Sequence, residues 1–514
     1  MLGLTLGLAL GLATPPVPAP RVVMKFGGSS VRDAERIMEV CKLVRSQIED
    51  EACRPHLVCS AMGGVTNELL DAAERALRRR EVDLSAVRRL HAATATTLAL
   101  EETDQYTQTL SLLDECEATL QGVSLLGELS ARTRDRVVSY GERCSGRMVA
   151  ACLESIGVSA VQIESWDLGV RTDSNFGDAL VLDSCWGAIK EQVEAIPEAT
   201  VGVITGFIGK DADGAITTLG RGGSDLTASL VGAAAGFDEV QVWKDVDGIL
   251  TADPRVCEKA MPVPRVSFSE AAELAYFGAK VLHPVAMQPA VRTNMPVRVK
   301  NSYNPAAPGT LITSDFTAKG LVSAITSKSG ICVVDITSTR MLGAYGFLAT
   351  VFEAFAKHQL SVDVVATSEV SVSLTLNKNV AILPKVESGT LDKAWAMEIG
   401  DEAVRSVCEE LEAVADLKIK YGRSIITLIA NVQESSNVMA LVFQVMSALN
   451  VRVEMIPQGA SKVNISLVVP GEREKEVIRA LHSCFFEDHD CPVPTTSPYD
   501  AFKEADKDLS QHEA

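Results

Sequence analysis

Three times in its first 230 residues the chain passes from an apolar, β-branched run into a glycine turn and on into helical sequence. The stretches are VVMKFGGSS (22–30), HLVCSAMGGVTNELL (56–70) and TGFIGKDADGAITTLGRGGSDLTASL (205–230). That order admits few folds, because strands joined by crossover helices lie parallel and must be covered on both faces. From Val22 to about Gly320 the alternation persists, and VVMKF, HLVCS, VGVITGF and VQVWK are predicted strands. Between Leu70 and Thr133 apolar residues recur every three or four positions, which predicts mostly helix. RALRRR within that block reads as a solvated helix face.

The glycines also carry chemistry. Gly27 and Gly28 let the backbone turn sharply and present N–H groups to an anion, with the next helix predicted to start near Ser29 or Ser30 and aim its positive end the same way. It is not a Walker A loop, since Lys25 precedes the glycines and no G-K-[ST] follows. One such turn alone better suits a plain βα connection; three at strand ends describe a polyphosphate site. The second adds Ser60 and Thr66, and in the third Gly220, Gly222 and Gly223 bracket Arg221 before the N-cap-like Ser224 and Asp225. Lys25 and Arg221 are cations able to hold a moving phosphoryl group or a carboxylate. Asp225, Asp245 and Asp247 are available for Mg²⁺ or for holding Lys25. Phosphoryl transfer needs mainly positioning and charge neutralisation, so this inventory suffices. No Ser-His-Asp set competes: none of the seven histidines lies in these loops, and His283 in VLHP reads as structural. Glu142, in SYGERCSGRMVAACL, reads by itself as a surface helix acid.

Composition narrows the partners. The net charge of −19 and 5% aromatic content argue against a nucleic-acid backbone as ligand. At 514 residues two to four domains are expected. The 12 cysteines contain no C-x-x-C pair, which fits neither a zinc site nor a spaced disulfide framework and points to a reducing compartment. An apolar block from Met1 to Ala13 precedes a Pro-rich stretch. It is shorter than the roughly 20 residues of a membrane span, so residues 1–20 read as a targeting segment or a disordered start, and no membrane association is expected.

NSYNPAAPGT (301–310) is a candidate boundary. Beyond it ATVFEAFAKHQLSVDVV (349–365) aligns without a gap on ALVFQVMSALNVRVEMI (440–456), and VSLTL (372–376) matches ISLVV (465–469). Each copy reads as strand, helix, strand, strand, helix, strand, a ferredoxin-like unit. Periodicity alone leaves open whether the pair is a bare structural repeat or a small-molecule sensor.

KFGGSSV, SAMGGVTN, YGERCS, TTLGRGGSD, WKDVDG with TADPR, and AYFGAKVLHP occur in an order that resembles the aspartate kinases of the amino-acid kinase family. QVWKDVDG, RVKNSYNP, STRMLG and VDVVATSEVSVSLTL are similar in particular to the monofunctional, lysine-sensitive enzymes of plant type, although Lys280 stands where those often have glutamine. The resemblance implies a three-layer αβα sandwich with a mainly parallel sheet (21–310), then two βαββαβ ACT domains (321–415 and 416–495) and a tail (496–514). It implies ATP-dependent phosphorylation of L-aspartate to 4-phospho-L-aspartate, with Mg²⁺ carried by ATP. Lys25 and Asp225 would be catalytic, and Lys25, Gly27, Gly28, Ser60, Lys244, Asp245, Leu250, Arg255 and Lys280 would bind ATP. Arg221 would hold the aspartate α-carboxylate and Glu142 its ammonium group, with Thr66 and Ser224 nearby. L-Lysine would inhibit through Met341, Phe347, Leu348, Ser361, Val362, Asp363, Thr367 and Glu369. A homodimer or higher oligomer through ACT domains is expected, in a plastid or, alternatively, the cytoplasm. Glutamate or acetylglutamate kinases and an inactive amino-acid sensor are the alternatives; GRGGSD, YGE and intact Lys25, Arg221 and Asp225 count against them. A fused homoserine dehydrogenase is disfavoured by the short stretch after the second repeat.

Overall fold

The computed structural model describes residues 19–279, 282–314, 320–338, 346–368, 371–376, 389–391, 399, 401–457 and 463–487. It comprises two compact units, Met1–Trp243 and Lys244–Ala514. Among the described residues no helix is long and apolar enough to cross a membrane.

In the first unit β1 (Arg21–Phe26), α1 (Ala34–Glu49) and β2 (Arg54–Cys59) are followed by four helices, α2 (Val65–Arg79), α3 (Ser85–Leu98), α4 (Asp104–Leu126) and α5 (Ala131–Ser155). Then come β3 (Ala160–Ile163), α6 (Cys185–Glu194), β4 (Val201–Thr205), the antiparallel hairpin β5 (Ile208–Lys210) and β6 (Ile216–Thr218), α7 (Gly223–Ala235) and β7 (Glu239–Lys244). The sheet is parallel in the order β3-β4-β2-β1-β7, as the recurring strand-turn-helix pattern requires. Successive side chains of β1 leave opposite faces: Val22, Met24 and Phe26 join the core with α1–α5, while Val23 is buried on the face where α7 packs. Burying each such side chain contributes about 1.5–3 kcal/mol. The expected helix block is confirmed as α2–α4, and the RALRRR face is solvated, with Arg78 paired to Glu74.

One expectation about the first glycine turn fails. The following helix begins at Ala34, not near Ser29 or Ser30, because Asp33 is the N-cap, in extended backbone with its side chain accepting from Arg36 N–H. Residues 27–31 form a separate turn, in which Ser30 N–H donates to Gly27 C=O at 2.9 Å. The other two turns do end in helix starts, but the caps of α2 and α7 are Gly64 (φ +85°) and Gly222 (φ +79°). Positive φ makes glycine the fitting residue there, so Ser224 and Asp225 occupy the first turn of α7 rather than its cap.

The second unit opens with β8 (Arg265–Ser267), α8 (Phe268–Tyr276), α9 (Pro284–Thr293), β9 (Val297–Asn301) and β10 (Thr310–Thr313). Residues 301–310 close an antiparallel β9–β10 connection, and β10 also pairs with β8, so this Pro/Gly-rich stretch is a loop within one sheet. An antiparallel sheet follows: β11 (Val322–Thr337), α10 (Phe347–Lys357), β12 (Val362–Thr367), β13 (Ser371–Leu376), β14 (Gly389–Leu391), α11 (Glu402–Glu412), β15 (Asp416–Ala430), α12 (Ser435–Ala448), β16 (Asn464–Pro470) and α13 (Glu474–Phe486).

The two repeats are interleaved. β11 and β15 pair along nearly their whole length, and each serves two cores. Cys332, Val334, Ile336 and Ile419 pack with α10 and α11; Val322, Ile325, Ile426 and Leu428 pack with α12 and α13. Register shifts fall near Gly330 and Gly422, both at positive φ, where the paired strands pass from one core to the other. The second copy also lacks one expected strand: of VRVEMI, only Met455 forms a bridge, to Val468. Pro457 follows, and its missing N–H cannot extend a ladder. Among the described residues ten cysteines are buried free thiols and Cys484 is disulfide-bonded.

Candidate active site

The strand ends of the first unit surround a cavity of about 370 Å³ lined by Lys25, Gly28, Ser60, Thr66, Glu142, Arg221, Ser224 and Asp225. Residues that the sequence scatters over 200 positions thus share one site, because β1, β2 and the third glycine turn all end at the same edge of a parallel sheet. Gly27 adjoins this lining without being part of it.

Lys25 is 7% exposed and its Nζ lies 2.7 Å from Asp225 Oδ1. Burial of an ammonium is costly unless it is paired, and Asp225 supplies that pair from the first turn of α7. Ser60 Oγ donates to Ser224 Oγ at 3.0 Å, linking the second and third turns. Arg221 is exposed at the mouth.

Glu142 is 3% exposed, not the surface acid that its sequence setting suggests, because its helix packs against the second glycine turn. Gly141 lets its helix approach the second turn: a Cβ there would stand 2.9 Å from Ala61 Cβ, so a larger residue would push α5 away. In this position Glu142 Oε1 accepts from Ala61 N–H at 3.2 Å, while Oε2 is buried without a hydrogen-bond partner. Burial raises its carboxyl to about 8, the Ala61 N–H pulling weakly the other way. A buried acid that lines a cavity and has one orphaned oxygen is prepared for a cationic guest. Asp135, lower on α5, accepts from Gly177 N–H, Thr218 N–H and Thr218 Oγ1 and so ties the helix to β6.

Ala61, Met62 and Phe207 also line the cavity and were not anticipated. Phe207 has φ +71°, and its N–H donates to Thr227 Oγ1 at 3.1 Å. An aromatic residue held in left-handed backbone is strained; the glycines flanking it in TGFIG were the available signal.

Lys244, Asp245, Leu250 and Arg255 belong to the second unit. There Arg255 is exposed and paired with Asp253 (2.6 Å), and Asp247 accepts from Asn301 and Asn304. Lys280, Met341 and Glu369 lie outside the described residues. Phe347 and Leu348 open α10 behind Gly346, Ser361 and Thr367 are exposed, and Val362 pairs with Leu376 on β13. The Asp363 side chain is 1% exposed; Lys328 Nζ lies 2.8 Å from Oδ2, and Tyr276 OH donates to Oδ1 at 2.8 Å. Desolvation and the Asp363 carboxylate together push the Tyr276 phenol well above its ordinary range. A cavity of about 630 Å³ is bordered by Tyr276, Asp363, Val364 and Asn464.

No group of three or more His, Cys, Asp or Glu side chains forms a metal site among the described residues. In the first-unit cavity the carboxylates are Glu142 and Asp225, the latter committed to Lys25.

Family and structural comparisons agree with this arrangement. Residues 20–301 match the amino acid kinase family and residues 426–485 an ACT domain. The chain is 47% identical over 479 residues to "Aspartokinase 2, chloroplastic" of Arabidopsis thaliana, covering 90% of this chain and 84% of that one. It is 34% identical over 478 residues to "Lysine-sensitive aspartokinase 3" of Escherichia coli, covering 91% and 99%. Among solved structures, E. coli aspartokinase III in complex with aspartate and ADP superposes with a TM-score of 0.72 at 33% identity, covering 91% of this chain and 100% of that chain.

Proposed function

Because the chain belongs to the amino acid kinase family and is an aspartate kinase, we propose that the first-unit cavity holds aspartate and the ATP phosphates, with the following roles. The aspartate side-chain carboxylate attacks the γ-phosphorus, and the bond from that phosphorus to the β,γ-bridging oxygen breaks, giving 4-phospho-L-aspartate and ADP. Lys25 neutralises charge on the moving phosphoryl group, and Asp225 keeps its ammonium in place. Backbone N–H groups at Gly27 and Gly28, the Ser60 hydroxyl and the positive ends of α2 and α7 receive phosphate oxygens. Arg221 binds the α-carboxylate, Glu142 binds the ammonium group through its orphaned Oε2, and Thr66 and Ser224 complete that side. Lys244, Asp245, Leu250, Arg255 and Lys280 embrace the nucleotide. A kinase using ATP implies a divalent metal, typically Mg²⁺; the acids present fit one carried by the phosphates, with no direct protein ligand.

The reaction is the first step toward lysine, threonine and methionine. Inhibition by lysine is part of the proposal, through Asp363, Thr367 and Glu369 toward its amino groups and Met341, Phe347 and Leu348 along its chain, with Ser361 and Val362 also at the effector site. A relative of this chain is named lysine-sensitive, and a related structure is titled as a complex with lysine and aspartate. Such inhibition requires lysine to bind one of two states more tightly. The proposed division is a catalytic part at 21–310 and ACT units at 321–415 and 416–495, with β11 and β15 common to both ACT cores. Pairing of ACT units between chains and a plastid location, the latter suggested by the chloroplastic relatives, complete the reading.

The observation that carries this assignment is the buried Lys25–Asp225 pair beside the unpartnered Glu142 oxygen. Hydroxamate trapping with ATP, Mg²⁺ and aspartate tests it: folded protein yielding no acyl phosphate refutes the reading. Added lysine should suppress the signal, and suppression by threonine alone would reassign the effector.

A further inference from the structure

A second cavity of the first unit, about 400 Å³, is bordered by the same helix α5. Arg132, Arg136 and Arg143 stand four and seven residues apart, which places them on one helical face. Opposite them are Lys210 of β5 and Trp166. Four cations therefore line the space against a single lining carboxylate, Glu115, in a chain whose net charge is −19.

The cations are held from behind. Arg143 Nε donates to Glu164 Oε1 at 3.3 Å, and its guanidinium carbon lies 5.2 Å from the Tyr140 ring centroid and 5.7 Å from that of Trp166. Glu164 is itself shared with Arg147, 2.9 Å away. Lys210 Nζ rests 4.4 Å from the Trp166 centroid, with the exposed Asp167 near enough to feel its charge. Arg136 Nε donates to Tyr140 OH, whose own proton goes to Glu115. Among the described residues neither Arg132 nor Lys210 forms an ion pair with a carboxylate. Aromatic rings back Arg143 and Lys210, and Tyr140 OH holds Arg136, while Arg132 is exposed; the terminal N–H groups of three guanidinium forks and one ammonium are left for a guest.

We propose that this cavity binds a small, multiply charged oxyanion, a phosphorylated or polycarboxylate metabolite, at a site distinct from that of ATP and aspartate. Guanidinium forks suit phosphate and carboxylate oxygens in pairs, and the surplus of positive charge favours more than one anionic group. Arg143 directly follows Glu142, and Lys210 lies three residues beyond Phe207, so both cavities are built on α5 and the β5 segment.

Calorimetric titration of the full chain, without Mg²⁺ or nucleotide, tests this with pyrophosphate and citrate as probes. Wild type should bind at least one of them saturably, pyrophosphate marking the phosphate class and citrate the polycarboxylate class. Lys210→Met and Arg132→Ser should each weaken binding at least about tenfold, with circular dichroism confirming their fold. Lys25→Ala, altered only in the first cavity, should keep the binding that Lys210→Met and Arg132→Ser weaken, losing at most a separate pyrophosphate contact in the phosphate cradle and nothing for citrate. Loss in Lys25→Ala with retention in Lys210→Met and Arg132→Ser would move the anion to the phosphate cradle and overturn the proposal. No saturable binding of either probe would also overturn it.

Discussion

Lys25 and Asp225 meet at 2.7 Å in the first unit, and Lys328 and Asp363 at 2.8 Å in the second. By distance and burial the two pairs are nearly alike, yet their surroundings differ. Asp225 stands at a helix start, and its lysine lines a glycine-walled cavity that also contains an unpartnered carboxylate oxygen. Asp363 lies on an antiparallel strand with one oxygen beside Lys328 and the other taking the Tyr276 proton. Both are costly to break, since removing one partner of a buried pair costs about 3–5 kcal/mol while the intact pair adds little. What separates them is the company each keeps beside its cavity: the first pair adjoins glycine turns and helix starts suited to a phosphoryl group, while at the second, bordering a cavity of about 630 Å³, both Asp363 oxygens are already engaged by Lys328 and Tyr276.

The strongest way to break this contrast is Lys25→Ala. Turnover should fall by far more than tenfold, which is about 1.4 kcal/mol of barrier, with far-UV circular dichroism unchanged. Retention of more than about a tenth of the rate would make the first pair merely structural. Next in size is Arg221→Ala: losing a charged hydrogen bond worth about 1.5–3 kcal/mol should raise the aspartate KM roughly 10- to 150-fold and leave the ATP KM in place. A parallel rise in both constants would remove Arg221 from the aspartate side.

Glu142 sharpens the description of the catalytic cavity. Its carboxyl, raised to about 8 by burial, is mostly protonated in the free enzyme at pH 6–7, and an ammonium guest needs the carboxylate. The aspartate KM should therefore fall as pH rises from 6, by at most about tenfold per unit, and level off above about 8. Glu142→Gln should flatten that slope; an unchanged profile would assign the titration elsewhere. The smallest effect is expected at the second pair. Asp363→Asn should raise the lysine concentration for half-inhibition about five- to tenfold, near 1–1.4 kcal/mol, with uninhibited kcat within about twofold. A lower Tm with an unaltered lysine response would make this pair structural.

Much of the catalytic cavity was legible because its signals are local. In VVMKF-GG, CSAMGG and LGRGGSD, strand propensity, turn glycines and polar tips lie within a few residues, and a parallel sheet brings strand ends to one edge. Ala61, Met62 and Phe207 escaped notice because their roles come from backbone conformation and close approach, not residue type. The start of α1 was misplaced for a related reason. Ser29 and Ser30 are plausible caps by identity, but Asp33 has the extended backbone that lets a side chain reach Arg36 N–H.

By itself the sequence determined the alternation of strands and helices in the first unit, the repeat and the chemical inventory of the site, because periodicity, turn residues and side-chain type are properties of adjacent positions. Tertiary structure decided that Asp225 pairs with Lys25, and that Asp363 is engaged by Lys328 and Tyr276. It also decided that the two repeats share β11 and β15 instead of standing in tandem. Each outcome depends on which distant groups burial brings together: a buried charge must find a partner and a strand edge must find another strand, and neither need is met among a residue's neighbours in the chain.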